Sequence, residues 1–229
     1  MQSTRSKLIQ LLAEYNGKYV SGQTLSDALN ISRTAVWKHM RQLEKEGYKI
    51  EGKEKLGYKV IAYPNTLSEY TIKRHLNTRW LGQNIIHKET ITSTQTLAHQ
   101  LAHDDAPHGT VIVANEQTKG MGRRNRPWES IKNKGIWMSM ILKPKILPYL
   151  APQLTLLTAT VLADVFKHVV RVEPQIKWPN DLLINDQKVA GILTEMQAEQ
   201  DQIQYIIVGI GINVNHHRKD LPKQSAYET

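Results

Sequence analysis

Between residues 21 and 47 the chain reads SGQTLSDALNISRTAVWKHMRQLEKEG, two amphipathic helical stretches separated by a three-residue break. Each is introduced by a serine, Ser21 or Ser32, able to accept from the unsatisfied amides of a first helical turn. Leu25 and Leu29 mark the buried side of the first, Val36, Met40 and Leu43 that of the second, and Gly47 supplies the expected stop. An earlier stretch, 5 to 15, sets Leu8, Leu11, Leu12 and Tyr15 at helical spacing. After Gly47, YKIEGKEKLGYKVIAYP alternates apolar and polar residues around a Gly/Lys-rich centre, which predicts a two-stranded hairpin ending at Pro64. Three short helices and a hairpin make a winged helix-turn-helix over residues 1–63, a motif that sets its second helix in the DNA major groove.

Charge agrees with that reading. The net charge is +9, with eleven Lys/Arg against six Asp/Glu up to Pro64 and nineteen against fifteen beyond it, so basic density is highest in the smaller piece. Such a balance favours nucleic acid or nucleotide phosphates as partners. Opposite the buried stripe of the second helix lie Arg33, Thr34, Lys38 and Arg41, placed to reach bases and phosphates, with Lys53 and Lys55 at the wing tip. Trp37, on the same face, either touches DNA or packs on a neighbouring domain.

Past Pro64 the pattern becomes α+β, expected over residues 64–229 as a mixed, antiparallel-rich sheet with helices packed on it. We expect helices near 67–76, 93–103 and 152–170, and strands near 85–91, 110–116 and 135–142. A short strand around 176–179, a hairpin turning at Asn185-Asp186 and a closing strand through 213 complete the sheet. No run approaches the roughly 20 apolar residues of a membrane span, and no signal-type segment opens the chain, so a cytoplasmic protein without membrane attachment is expected. The chain has no cysteine, which excludes disulfides, thiolate metal sites and thiol nucleophiles.

Four segments depart from what a core requires. GMGRRNRPW, 120–128, sets Arg123, Arg124, Arg126 and Trp128 behind Gly120 and Gly122; it is either a solvated loop or a lid whose glycine amides and guanidinium groups meet an anion. KWPND, 177–181, ends a strand with Lys177 as an edge residue or a point charge at the sheet end, followed by Asn180 and Asp181, whose carboxylate suits a turn, a metal-bound nucleotide or an attacking amine. Lys188 enters an apolar strand beside Gly191, where an ammonium needs an anionic partner. Gly209 and Gly211 share one face of the last strand, opening a slot or allowing a helix to pack closely. His99 and His103 have the spacing of a helical metal pair but no third ligand, so we expect exposed polar residues and no protein metal site. Neither a P-loop nor a dinucleotide fingerprint is present.

The order winged helix, STQ, EQTKGMGRRNRPW, KWPND, KVAGIL, GIGIN resembles the bifunctional biotin protein ligases that also serve as biotin operon repressors. The resemblance extends over essentially the whole chain and implies a class II synthetase-like catalytic domain. It implies that biotin and MgATP give biotinyl-5'-adenylate, and that biotin then passes to a lysine of biotin carboxyl carrier protein. It also implies an adenylate-bound homodimer on operator DNA. Ser93, Thr94, Gln95 and Gln117 then match biotin contacts. Gly120, Met121, Gly122, Arg123, Arg126 and Trp128 match the loop over biotin and its adenylate, while Lys188 matches the lysine at the acyl phosphate. Lys177, Asn180 and Asp181 match the adenylate side, and Gly191, Gly209, Gly211 and Asn213 the biotin slot and its mouth. The catalytic set would be Arg123, Lys177, Lys188 and Asp181. Two departures stand out: Met121 replaces the arginine common between the loop glycines, and the sequence stops at QSAYET where the family continues into a C-terminal β-barrel domain. A regulator that senses biotin or its adenylate without catalysis is the alternative.

Overall fold

The computed structural model describes residues 4–64, 66–73, 76–217 and 220, and divides the chain into two compact units, Met1–Leu76 and Asn77–Thr229. In the first unit, α1 (Thr4–Glu14), α2 (Gly22–Leu29) and α3 (Arg33–Lys45) precede the antiparallel hairpin β1 (Lys49–Lys53) and β2 (Gly57–Ala62). Both predicted caps form: Ser21 accepts from the Thr24 amide at 3.0 Å and Ser32 from that of Ala35 at 3.1 Å. Asn30, left-handed at φ 52°, closes α2, and Gly47 at φ 92° follows α3. Leu8, Leu12, Leu25, Val36, Met40 and Leu43 form the buried core with Val20 and Val60.

This unit runs past Pro64, the expected boundary. The helix anticipated near 67–76 is α4 (Glu69–Lys73), with positions 74 and 75 outside the described residues. Ser68 and Thr71 bond reciprocally at its start, and Tyr70 packs against the first unit's core, stacked on Tyr63. Burial of that ring, invisible to a count of local periodicity, draws the segment into the smaller unit.

The second unit is a seven-stranded sheet in the order β3-β4-β5-β9-β8-β7-β6. Its strands are β3 (Ile85–Lys88), β4 (Val111–Ala114), β5 (Gly135–Leu142), β6 (Gln175–Lys177), β7 (Asp181–Ile184), β8 (Gln187–Glu199) and β9 (Gln202–Asn213). Only β3 and β4 run parallel; the remaining pairs are antiparallel. Asn185 and Asp186, with φ 49° and 59°, make the tight turn anticipated between β7 and β8. The helices lie on opposite faces. α5 (Thr94–His103) covers Ile112, Ile141 and Ile207 through Ala98 and Ala102, and α6 (Ala151–Val165) covers Ile192, Ile206 and Val208 through Ala159 and Leu162.

One expectation is corrected here. By length and composition the helical run Pro148–Val170, of mean hydropathy 1.3, suffices to cross a membrane. Alanine and threonine interrupt its larger apolar residues in sequence without making it polar on average. Its stripe of Ala159, Leu162 and Phe166 is buried against the sheet, while Leu157, Val161, Val165 and Val169 are exposed.

Gly57 joins the hairpin to the loop before α2. Val20 and Tyr58 exchange backbone hydrogen bonds, while Gly57 sits at φ 100° and an added Cβ would fall on the Val20 carbonyl. Gly57→Ala is therefore expected to destabilise the first unit by about 2 kcal/mol or more in denaturant unfolding, and an unchanged midpoint would refute this account of the hairpin's attachment.

Candidate functional site

The floor of the site is the sheet face turned toward α5. Gly191 on β8 stands opposite Gly211 on β9, which stands opposite Trp137 on β5; one step along, Leu193, Gly209 and Ser139 form a second row. Residues directly opposite across antiparallel strands share a face, so all three strand glycines thin the same surface. A cavity of about 450 Å³ lies above them, within the size range that holds a small-molecule ligand.

Its first wall is the start of α5. Ser93 caps the helix through the amides of Gln95 and Thr96, and Ser93, Thr94 and Gln95 are all nearly inaccessible. The Gln117 Oε1 accepts from the Thr94 amide at 2.8 Å and from its hydroxyl at 3.0 Å, while Gln117 Nε2 donates to the Ser130 hydroxyl at 2.8 Å. Ser139 donates to Gln95 Oε1 at 2.9 Å and lies 2.9 Å from the Thr94 hydroxyl. Gln95 Nε2 donates to Glu195 at 2.8 Å. This end is buried, polar and neutral apart from Glu195.

The opposite wall carries charge. Lys188 Nζ pairs with the Asp181 carboxylate at 2.8 Å and stands 5.1 Å from the centre of the Trp128 ring. The Asn180 carbonyl accepts from Arg123 at 2.8 Å, and its amide donates to Asp181 at 2.9 Å and to the Ile192 carbonyl at 3.2 Å. Asn213 donates to the Lys188 carbonyl at 3.2 Å. Arg123 and Lys188 are thus two fixed cations beside a water-accessible hollow, an arrangement that stabilises negative charge on a phosphate or carboxylate.

The glycine-arginine loop folds on itself. Met121 bridges Pro127, Trp128 donates to the Gly120 carbonyl, and Gly122 gives its amide to the Arg126 carbonyl at 2.8 Å. Arg124 and Asn125, both at φ 56°, make the turn. The expectation that the two glycine amides face a ligand is corrected: Gly122 spends its N–H within the loop. Gly120 is buried against the Trp128 backbone and is absent from the lining. The side chains of Arg123 and Arg126 remain on the cavity side.

Trp128 lies on the glycine floor. A Cβ at Gly191 would come within 2.8 Å of its ring and one at Gly211 closer still, whereas a Cβ at Gly209 would meet Gln95 Oε1 at 2.5 Å. Gly209 thus takes a helix residue, Gln95, while Gly211 and Gly191 take the loop's Trp128; all three also line the hollow.

Of the remaining residues singled out in the sequence, the lining includes Met121, Gly122, Asn180, Asp181 and Asn213. Lys177 is not brought in. It is exposed on the outermost strand, directly opposite Asp181, and outside the lining, which holds Arg123 and Lys188. His103 is exposed, but His99 is not the free surface residue anticipated. Its ring is half-buried, 3.2 Å from Glu195 and 3.3 Å from the Tyr205 hydroxyl. Among the described residues no three His, Asp or Glu side chains cluster as a metal site.

Sequence reasoning missed Glu195, Ser139 and Ser130. The signal was present for the first two. Glu195 shares its strand face with Gly191 and Leu193, and Ser139 interrupts an apolar strand at an inward position. Hydrogen bonding from His99 holds the Glu195 carboxyl below its ordinary pKa; burial opposes this, and the Gln95 amide assists.

On the first unit, Arg33, Thr34, Trp37, Lys53 and Lys55 line a groove between α3 and the hairpin. Lys38 and Arg41 are exposed on α3. Arg41 pairs with Glu44 at 3.0 Å and lies 5.5 Å above the Trp37 ring, which is itself exposed.

The biotin/lipoate A/B protein ligase family matches residues 87–213, and an HTH domain matches residues 4–59. The bifunctional ligase/repressor BirA of Bacillus spizizenii is 48% identical over 98% of this chain and 69% of its own length. That of Escherichia coli is 32% identical over 93% of this chain and 64% of its own. The biotin protein ligase of Leishmania major, solved in complex with biotinyl-5-AMP, is 26% identical with a TM-score of 0.53, covering 64% of this chain and 62% of that one. The ligase match takes in every segment that lines the cavity and more than half of the sequence. The chain belongs to the biotin/lipoate A/B protein ligase family.

Proposed function

We propose that the second unit joins biotin to ATP, giving biotinyl-5'-adenylate and pyrophosphate, and passes biotin to a lysine of biotin carboxyl carrier protein. The observation that carries this reading is the division of one cavity into a neutral, hydrogen-bonding end at Ser93–Gln95 and Gln117 and a cationic end at Arg123 and Lys188. Biotin has the same division, a neutral ureido ring and a carboxylate. With the ring at the α5 end, the carboxylate lies toward Lys188. An oxygen of that carboxylate attacks the α-phosphorus of ATP, the bond to pyrophosphate breaks, and the added negative charge falls on oxygens near Lys188 and Arg123.

In the second step the carrier lysine amine attacks the acyl carbon and AMP leaves. Asp181, held to Lys188, keeps the ammonium directed inward, and Trp128 with its loop shields the mixed anhydride from water. Lys177 has no part in this account. Bound with ATP, Mg2+ would offset phosphate charge, and Asp181 and Asn180, in the cavity lining, would supply oxygen donors to hold it.

Purified protein incubated with labelled biotin, MgATP and a carrier domain should yield the adenylate and acid-stable label on the carrier. Lys188→Met should lower adenylate formation by roughly a hundredfold. No adenylate from the unaltered protein would overturn the ligase reading in favour of a regulator that senses biotin.

The first unit, in the same reading, binds operator DNA, with the adenylate-bound protein a homodimer and a biotin-responsive repressor in the cytoplasm. Support comes from the basic groove between α3 and the hairpin and from the HTH match. A two-fold dimer suits a palindromic site. Arg33→Ala should weaken operator binding and reduce the slope of log affinity against log salt by about one, as for loss of one phosphate contact; an unchanged slope would remove Arg33 from the interface.

A further inference from the structure

Gln95 is 3% exposed, and its carboxamide is nearly symmetric in shape, so its partners alone decide which end faces the cavity floor. On one side stands Glu195, 2.8 Å from Nε2. An ionised carboxylate only accepts, which forces the amide nitrogen toward it. The Gln95 Oε1 is then committed to the other side, over Gly209 and within 2.9 Å of the wholly buried Ser139 hydroxyl. Ser139 has one proton, and it goes to Gln95.

We propose that Glu195 is a positioning residue that locks the Gln95 carboxamide with its oxygen over Gly209, and so sets the wall of the cavity to accept a hydrogen bond from a ligand N–H. The proposal rests on the reading of this cavity as the biotin site, where a cyclic urea supplies such donors.

A reversed amide would place two acceptors face to face with no proton between them, in a buried setting where an unmet polar group is costly. Glu195 is kept ionised by His99, whose other ring nitrogen lies 3.3 Å from Tyr205. Gln117 is oriented separately, by the Thr94 amide on one side and Ser130 on the other, and Ser130 in turn donates to the Trp128 carbonyl at 3.1 Å. The wall is thus anchored at two ends. Glu195 is the charged group at the Gln95 end; the bonds from Ser139 to Gln95, Thr94 to Gln117, Gln117 to Ser130 and Ser130 to Trp128 join neutral groups.

The test measures biotin and ATP separately. Glu195→Leu should raise the Kd for biotin about tenfold or more and leave the KM for ATP unchanged. Glu195→Gln, able to pair in either sense, should fall between. The double exchange Gln95→Glu with Glu195→Gln keeps Ser139 as donor and residue 95 as acceptor, and should recover biotin binding relative to Glu195→Leu. A folded Glu195→Leu protein with unaltered biotin affinity would overturn the proposal. So would a double exchange no better than Glu195→Leu. Should the unaltered protein bind no biotin, the site reading fails, and the Gln95 carboxamide is then followed by 15N NMR without ligand. Slow exchange of one amide proton that is lost in Glu195→Leu supports the lock, and equal exchange in both proteins refutes it.

Discussion

The register between β8 and β9 decides which side chains meet in the cavity. Gly191 faces Gly211, and Leu193 faces Gly209. A slip of one residue would turn every side chain of a strand to the opposite face, bringing Ala190 and Ile192, or Ile210 and Ile212, up under Trp128 and Gln95. The buried row Ile192, Ile206, Val208 and Ile210 against α6 forbids that slip, because those apolar side chains would then be moved off the core. Packing on one face of the sheet thereby fixes chemistry on the other.

Polarity is distributed across the same floor in a graded way. The α5 end buries hydroxyls and carboxamides that satisfy one another, while the β7 end holds an ion pair, Lys188 with Asp181, whose side chains stay about one-fifth exposed. Partial exposure matters. A fully dry ammonium would be costly without a permanent partner, whereas this one, beside water and an aromatic face, can exchange part of its attraction to Asp181 for an incoming anion. Arg123 reaches the same region through Asn180, tying the loop to the β6–β7 turn.

Much of this was legible in the sequence. Serine caps, apolar stripes and the Asn185-Asp186 turn depend on neighbours a few residues apart, and the structure has them where local chemistry puts them. Alternation put Gly209 and Gly211 on one face of one strand and set Lys188 near Gly191; their meeting on one side of the sheet depends on strand pairing and on the bulge at Leu182 and Leu183. What stayed hidden was long-range. Glu195 meets Gln95 and His99 across about a hundred positions of sequence. Tyr70 joins a core formed from much earlier residues, and Lys177 falls at the sheet edge because β6 is the last strand in an order that sequence alone does not supply. The loop amides were misjudged for a related reason: their partner, the Arg126 carbonyl, comes close only after Arg124 and Asn125 turn left-handed.

The central claim is that one ligand bridges the α5 wall, the glycine floor and the arginine loop. Amide hydrogen exchange with biotin and MgATP present tests it most directly, since a bridging ligand suppresses local opening in all three segments together. The account predicts slowed exchange across 93–97, 120–128 and 188–193. Unchanged exchange in the arginine loop, with biotin demonstrably bound, would contradict it.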